Sequence, residues 1–378
     1  MQFESPVDTC MIAVLRFSNE DARNKHECSA KPDQTQAYRK DSATGDSLRL
    51  SLYTETVSVL LDGDADVNSG AIFIGRVIIA RRTTMRVFVT GSTGFIGTEL
   101  VKELIAAGHE VRGLTRSDAG VEQLKAAGAE VHHGDLQDLN SLRSGAKGMD
   151  AVVNLAFSHD WSKFAQNAED EIKAIETLGS VLEPGKLLVV TSGVGLTSGG
   201  PGHVRTETDP PVDSTSIPRR PEKAARAVAE KGVNVAIVRL PQVHDTRKQG
   251  LVPLVTQTAR EKGVSVYVGD GANRWAAAPL KDVAHLYRLV VEKTGPGVTV
   301  YNAVQEEGVS MREIAETIGK GLKVPVKSIT PEQAGEYFGW FAHFATLDMP
   351  ASSEWTRKTL AWEPTGPGLI EDLANMKY

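Results

Sequence analysis

Residues 87–97 read Val-Phe-Val-Thr-Gly-Ser-Thr-Gly-Phe-Ile-Gly, and no other stretch limits the fold of this chain so strongly. An apolar, β-branched run ends in a Gly-x-x-Gly-x-x-Gly string. Its last glycine already lies in a helical pattern made by Ile96, Leu100 and Leu104 with Val101 and Ile105. Such a string alone is weak evidence, but between a strand and a helix it is specific. Glycine lets the backbone turn tightly and approach a pyrophosphate without a Cβ in the way. The helix start then turns free N–H groups and the positive end of its dipole toward the negative charge. A turn kept for packing alone is the bland alternative. Gly91, Ser92, Thr93, Gly94, Phe95, Ile96 and Gly97 form the expected phosphate cradle.

From Met85 onward, apolar runs alternate with helical segments. Strands are predicted at 86–90, 110–114, 130–133, 151–155, 187–191 and 234–240. Helices are predicted at 95–107, 119–127, 139–146, 163–181 and 221–231. This alternation predicts an α/β fold, a Rossmann-type doubly wound parallel sheet covered by helices on both faces. After about residue 250 the alternation loosens into a smaller α+β region. The expected organisation is therefore a dinucleotide-binding core at 85–249 and a substrate-binding region with returning segments at 250–378.

Residues 1–84 behave differently. They carry only short strand-like pieces, at 51–61 and 71–80, between polar, turn-rich stretches. They read as a poorly ordered N-terminal extension or a stretch upstream of the working start, with a docking or regulatory arm as the alternative. Both cysteines, Cys10 and Cys28, fall here, so no disulfide framework or thiolate metal site is expected in the rest of the chain. No metal is expected at all. With 42 Lys+Arg against 48 Asp+Glu and a net charge of −6, the chain gives no electrostatic reason to bind nucleic acid or a membrane surface. The apolar stretch 71–80 is broken by Arg76 and too short to span a bilayer. A cytoplasmic protein with a small-molecule substrate is expected, and a homodimer is compatible with the sequence.

The second strand bears on the ligand's chemistry. An NAD site usually ends this strand with an acid that bonds the ribose 2′-OH. Here Arg116 stands in that place, followed by Ser117. Its planar, permanently charged fork suits the 2′-phosphate of NADP, so NADP is favoured and NAD is the alternative. Asp118 complicates this reading unless it caps the next helix. Asp135 and Leu136 are placed for the adenine, and Leu155 and Ala156 for the cofactor cleft.

Residues 90–97, 134–136, 154–156 and 191–192 together resemble the short-chain dehydrogenase/reductase superfamily, and within it the extended or atypical NAD(P)-dependent epimerase/dehydratase-like members. Stretches 238–244, 268–275, 282–284 and 355–364 extend the resemblance from Met85 nearly to the C-terminus. It implies catalysis by a Ser, a Tyr and a Lys. The Ser orients the substrate oxygen, the Tyr exchanges its proton, and the Lys lowers the Tyr pKa. Ser192 and Lys223 match. The Tyr position holds Arg219, and no tyrosine lies between Tyr53 and Tyr267.

Arg219 suits an oxyanion but not ordinary acid–base work. His159, above the fourth strand, and His244 are candidate proton carriers, with the structural role usual for a lone His as the alternative. His203 and His285 are also available. The loop at 193–218, with five Gly and four Pro, reads as an active-site loop. Asn273, Arg274, Trp275, Lys281 and Asp282 fall where extended members shape the substrate pocket, although Trp275 also suits the core and Asp282 a helix cap. The aromatic cluster at 337–344 reads as a packing hub or pocket wall. The expected activity is an NAD(P)-dependent oxidoreductase acting on a carbonyl or alcohol. The alternatives are an epimerase, dehydratase or isomerase with bound NAD(P), or a non-catalytic dinucleotide-binding regulator.

Overall fold

The computed structural model describes residues 11–15, 38–40, 50–54, 57–62, 73–81, 84–200, 202–212 and 217–378. The chain divides into two compact units, Met1–Thr84 and Met85–Tyr378. In the first, β1 (Met11–Leu15), β2 (Tyr38–Lys40), β3 (Leu50–Thr54), β4 (Val57–Asp62) and β5 (Phe73–Arg81) form an antiparallel sheet in the order β1-β5-β4-β3-β2. The expected strand-like pieces are thus strands. The expectation of a poorly ordered extension falls mostly on residues outside those described, as do both cysteines.

The second unit opens with the strand that leads into the glycine string. Seven strands form one parallel sheet: β6 (Arg86–Thr90), β7 (Glu110–Thr115), β8 (Glu130–His133), β9 (Ala151–Asn154), β10 (Leu187–Gly193), β11 (Asn234–Leu240) and β15 (Val298–Asn302). Their order is β15-β11-β10-β9-β6-β7-β8, so the direction of winding reverses between β6 and β9. In open α/β sheets the crevice beyond the strand ends at such a reversal is where ligands bind.

Helices α1 (Phe95–Ala106) and α2 (Asp118–Ala126) cover one face together with α7 (Leu280–Lys293). Helices α3 (Leu139–Ala146), α4 (Phe164–Ser180) and α5 (Pro221–Ala229) cover the other. The strands read as near-continuous apolar runs because both faces are buried; Val87, Phe88, Val89, Val152 and Val153 have no exposed surface. Each such side chain contributes about 1.5–3 kcal/mol by leaving water.

Residues beyond 250 do two things. Helix α7 and strand β15 return to complete the main sheet and its cover. The others build a smaller lobe with its own core. It contains α6 (Val252–Lys262), the parallel pair β13 (Ser265–Val268) and β17 (Val326–Ile329), and α8 (Met311–Leu322). It also holds the sheet of β12 (Gln242–His244), β14 (Arg274–Pro279) and β16 (Glu306–Ser310), then α9 (Ala334–Phe338), α10 (Ala342–Thr346) and α12 (Leu369–Asn375), whereas α11 (Glu354–Leu360) packs on α7 and places Leu360 in the core of the main sheet. Among the described residues, no helix is long and apolar enough to cross a membrane.

The candidate dinucleotide cleft and active site

The cradle is built as the glycines require. Gly91 has φ +66°, and a Cβ on it would lie 2.9 Å from the Ala156 nitrogen. A Cβ on Gly97 would lie 2.0 Å from the Gly91 carbonyl oxygen. Both positions therefore demand glycine for close approach of one backbone to another. Gly94 N-caps α1 with no side-chain cap, and no acidic residue stands in the first turn. The helix start is left to an anion, which fits a dinucleotide pyrophosphate. The Ser92 hydroxyl does not contribute: it is buried and donates to the Leu114 carbonyl at 2.8 Å, tying the loop to β7. Thr93, Phe95 and Ile96 follow along the turn, the last two packed partly against the core.

The residues expected on the adenosine side lie together. Arg116 is 83% exposed and pairs with Asp135 at 3.2 Å. The second Asp135 oxygen accepts from the Gln137 N–H at 2.9 Å. Ser117, not Asp118, caps α2, accepting from the Gly120 N–H at 3.2 Å. Leu136 packs against the core beside it. Across the sheet, the Thr90 hydroxyl donates to Asn154 at 2.7 Å and accepts from the Ala156 N–H at 3.2 Å. That pair of bonds fixes Leu155 and Ala156 over the reversal point.

The catalytic expectations fare unevenly. Ser192, at the end of β10, is buried and donates a hydrogen bond to Glu222 at 3.0 Å. Glu222 also takes a fork from Arg239, through Nε at 2.8 Å and Nη2 at 2.9 Å. Arg239 in turn donates to the Thr206 and Asp209 carbonyls, pinning the described part of the 193–218 loop. Lys223, the expected lysine of the site, is exposed. Helix α5 buries Pro221, Glu222, Ala224, Ala225 and Val228, which turns Lys223 outward to solvent.

Arg219 is held by a carboxylate that sequence reading missed. Glu171 on α4, almost fully buried, receives Arg219 Nε at 2.9 Å and Nη2 at 2.7 Å. The guanidinium lies over the Phe157 ring at 4.2 Å. Its Nη1 has no hydrogen bond among the described residues and is not buried. The result is a fixed, planar cation with one amino group left over. His159 meets Phe157 edge to face, ring centres 5.6 Å apart. Crowding by its surroundings, then the nearby charges of Lys248 and Arg219, hold its imidazole below the ordinary range although its edge meets solvent. Lys248 itself stands 5.6 Å from the Phe95 ring, joining this group to the glycine loop.

Other expected site residues are structural. His244 is fully buried and its Nδ1 meets Asp372 of α12 at 2.7 Å. It is not at an open strand edge. His203 pairs with Asp209 and His285 with Glu103. Trp275 is core, its Nε1 donating to the Leu347 carbonyl, and Arg274 is bonded by Asp348. Asp282 receives the Thr365 and Gly366 N–H groups, anchoring the C-terminal segment, while Lys281 is exposed. One tyrosine does reach the strand ends. Tyr287 of α7 bonds the Thr191 hydroxyl at 2.7 Å. It lies on the sheet face opposite Ser192, since adjacent strand residues alternate. Burial pushes its phenol far above the ordinary range, so it does not replace the missing proton donor.

A sheet reversing at β6/β9, above an uncapped glycine-rich helix start, defines an NAD(P)-binding protein of the Rossmann type. Residues 91–277 match the NAD(P)H-binding family pattern. The chain is 40% identical over 296 residues to the Uncharacterized protein C2A9.02 of Schizosaccharomyces pombe, covering 78% of this chain and all of that protein. It is 42% identical over 294 residues to the Uncharacterized protein YLL056C of Saccharomyces cerevisiae, covering 76% and 98%. The fold matches DesIV, a dTDP-glucose 4,6-dehydratase of Streptomyces venezuelae, with TM-score 0.61 at 21% identity over 77% of this chain and 95% of that one. More distant relatives include dehydrogenases, reductases and epimerases. The chain belongs to the short-chain dehydrogenase/reductase family of the extended epimerase/dehydratase type.

Proposed function

We propose that the protein is an NADP-preferring oxidoreductase of a carbonyl or alcohol on a small organic molecule, in which Arg219 and His159 do the work of the absent tyrosine. The observation that carries this reading is the Arg219 clamp. Glu171 occupies two of its nitrogens, and Nη1 has no hydrogen bond among the described residues. A fixed donor of this kind stabilises negative charge on a substrate oxygen without reorganising during the reaction. The bound dinucleotide supplies or accepts the hydride. The His159 imidazole is held low by its surroundings and the charges of Lys248 and Arg219, which favours its uncharged form. It therefore suits accepting the hydroxyl proton of an alcohol, with the reverse transfer in reduction. Ser192 has committed its hydroxyl hydrogen to Glu222 and serves as a positioning group for that buried network.

NADP is favoured because Arg116 is the exposed cation at the end of β7, with Asp135 as its only bonded partner among the described residues. The test is a titration of the full chain with NADPH and NADH by cofactor fluorescence, followed by a panel of aldehydes and ketones. Cofactor oxidation by at least one member is the expected result. Tight binding with no oxidation by any member would leave the regulator reading in its place.

A further inference from the structure

We propose that the substrate is a planar aromatic carbonyl compound, or the matching alcohol, whose ring lies along a wall of aromatic side chains that starts at Arg219. This rests on the oxidoreductase reading above and adds the chemical class of what is turned over.

Two stretches far apart in sequence build the wall. Phe157 and His159 meet edge to face at 5.6 Å, and His159 meets Trp161 at 5.9 Å. Trp161 then leans on Trp340 with ring centres 5.2 Å apart and 32° between planes. Trp340 meets Phe341 at 5.6 Å, and Phe341 backs onto the buried Trp275 at 6.2 Å. The inner end of the wall follows Ala156 directly, hence begins over the cradle. Its outer end, Trp340, is 57% exposed.

An aromatic side chain gains most by burying its large apolar surface. An indole left so open, with a second indole propped against it and Phe341, itself backed by buried Trp275, at its other side, is a rigid surface waiting for a flat partner. Exposed apolar patches of this kind beside a polar site mark ligand surfaces. The charge pattern fixes the orientation. At the inner end, the Arg219 guanidinium lies 4.2 Å over the Phe157 ring, with Nε and Nη2 on Glu171 and no hydrogen bond from Nη1 among the described residues. Toward the outer end, Arg274, next to Trp275, is already bonded to Asp348 through Nε and Nη2. The wall therefore offers a polar hold at one end and a flat apolar run at the other. An aromatic aldehyde or ketone has that shape, with its oxygen at Arg219.

The test compares benzaldehyde with cyclohexanecarbaldehyde, which carry the same carbon skeleton and aldehyde but differ in planarity. KM is measured with the full chain and its preferred cofactor, for the natural sequence and for Trp340→Ala. The proposal expects a KM for benzaldehyde about tenfold or more below that for the saturated aldehyde. It expects Trp340→Ala to raise the benzaldehyde KM by about 3- to 10-fold, the range of one aromatic pair. The saturated aldehyde should move by less than about twofold on the same scale. Calorimetric titration of benzaldehyde into the protein–NADP⁺ complex gives a readout that needs no turnover. Binding there that weakens in Trp340→Ala, without turnover of any aldehyde, would support the wall and sink the oxidoreductase reading. Equal KM values for the two aldehydes, equal effects of Trp340→Ala on both, or no benzaldehyde binding at all would overturn the proposal. Turnover of either aldehyde would still leave the oxidoreductase reading standing.

Discussion

Replacing Glu222 by Leu should be among the most damaging single changes in the Met85–Tyr378 unit. Glu222 and Arg239 are 2% and 1% exposed. They are joined by two parallel charge-assisted hydrogen bonds of 2.8 and 2.9 Å, with a third bond from Ser192 at 3.0 Å. Leucine fills a similar volume, so the cavity contribution is small. What remains is the Arg239 cation, desolvated and holding only the Thr206 and Asp209 carbonyls. Breaking a buried pair in this way costs about 3–5 kcal/mol. Against a total stability of about 5–15 kcal/mol, that is about a fifth or more of what holds the fold. At about 2–4 °C per kcal/mol, the unfolding midpoint should fall by roughly 6–20 °C.

Urea unfolding followed by circular dichroism measures the loss as a shift in midpoint at constant slope. The second arm decides the cause. The double variant Glu222→Leu with Arg239→Met removes the stranded charge and replaces the pair by apolar packing. It should regain all but about 1 kcal/mol, since such replacements are often neutral or stabilising. A single variant that loses less than about 1 kcal/mol would refute the argument from uncompensated charge. So would a double variant no more stable than the single.

Three further outcomes are expected of the site. Arg116→Ala should lower affinity for NADPH about tenfold or more while leaving NADH within about threefold, because a fork on the 2′-phosphate is lost; fluorescence titration of both cofactors checks this, and an unchanged preference would remove Arg116 from the site. Gly97→Ala places a Cβ 2.0 Å from the Gly91 carbonyl, against backbone that cannot swing aside. It should cost about 1–3 kcal/mol in stability by overpacking and abolish tight cofactor binding, as read by thermal unfolding with and without NADPH. His159→Gln should reduce alcohol oxidation by about 10²- to 10⁴-fold and abolish the acid limb of the rate profile. Because the folded-state imidazole is held below its unfolded value of about 6.5, the unfolded chain binds more protons in the window below that pH. Stability should therefore rise with pH through that window, level off above it, and lose this slope in the variant.

How much of this was legible in the sequence depends on the range of the interaction. The cradle, the parallel sheet and the NAD(P) class were readable because each rests on residues close together in the chain, where a period or a glycine spacing carries the physics. The helix phase at α5 was also readable in principle. Pro221, Ala224, Ala225 and Val228 repeat at helical spacing, which places Glu222 at the border of the buried stripe and Lys223 opposite it. The family resemblance drew attention to Lys223 instead. Arg239 gave a second signal: a cation inside the apolar run Val235–Leu240 needs a buried carboxylate. The sequence did not say which of many carboxylates that would be.

The Arg219–Glu171 clamp lies further out of reach. Its partners are 48 residues apart and meet only because α4 and α5 pack side by side on one face of the sheet. The Trp161–Trp340 contact spans the core and the smaller lobe, so no local pattern marks it. Both residue pairs looked ordinary as sequence, a charge on a helix and an aromatic in a cluster. This explains why the missing tyrosine was an incomplete clue. A proton-transfer group must be placed within one hydrogen bond of its substrate, and such placement comes from contacts between distant elements. The absence of a tyrosine could be counted from the chain, whereas the groups positioned to compensate for it become visible only once the sheet has brought β9, α4 and α5 together.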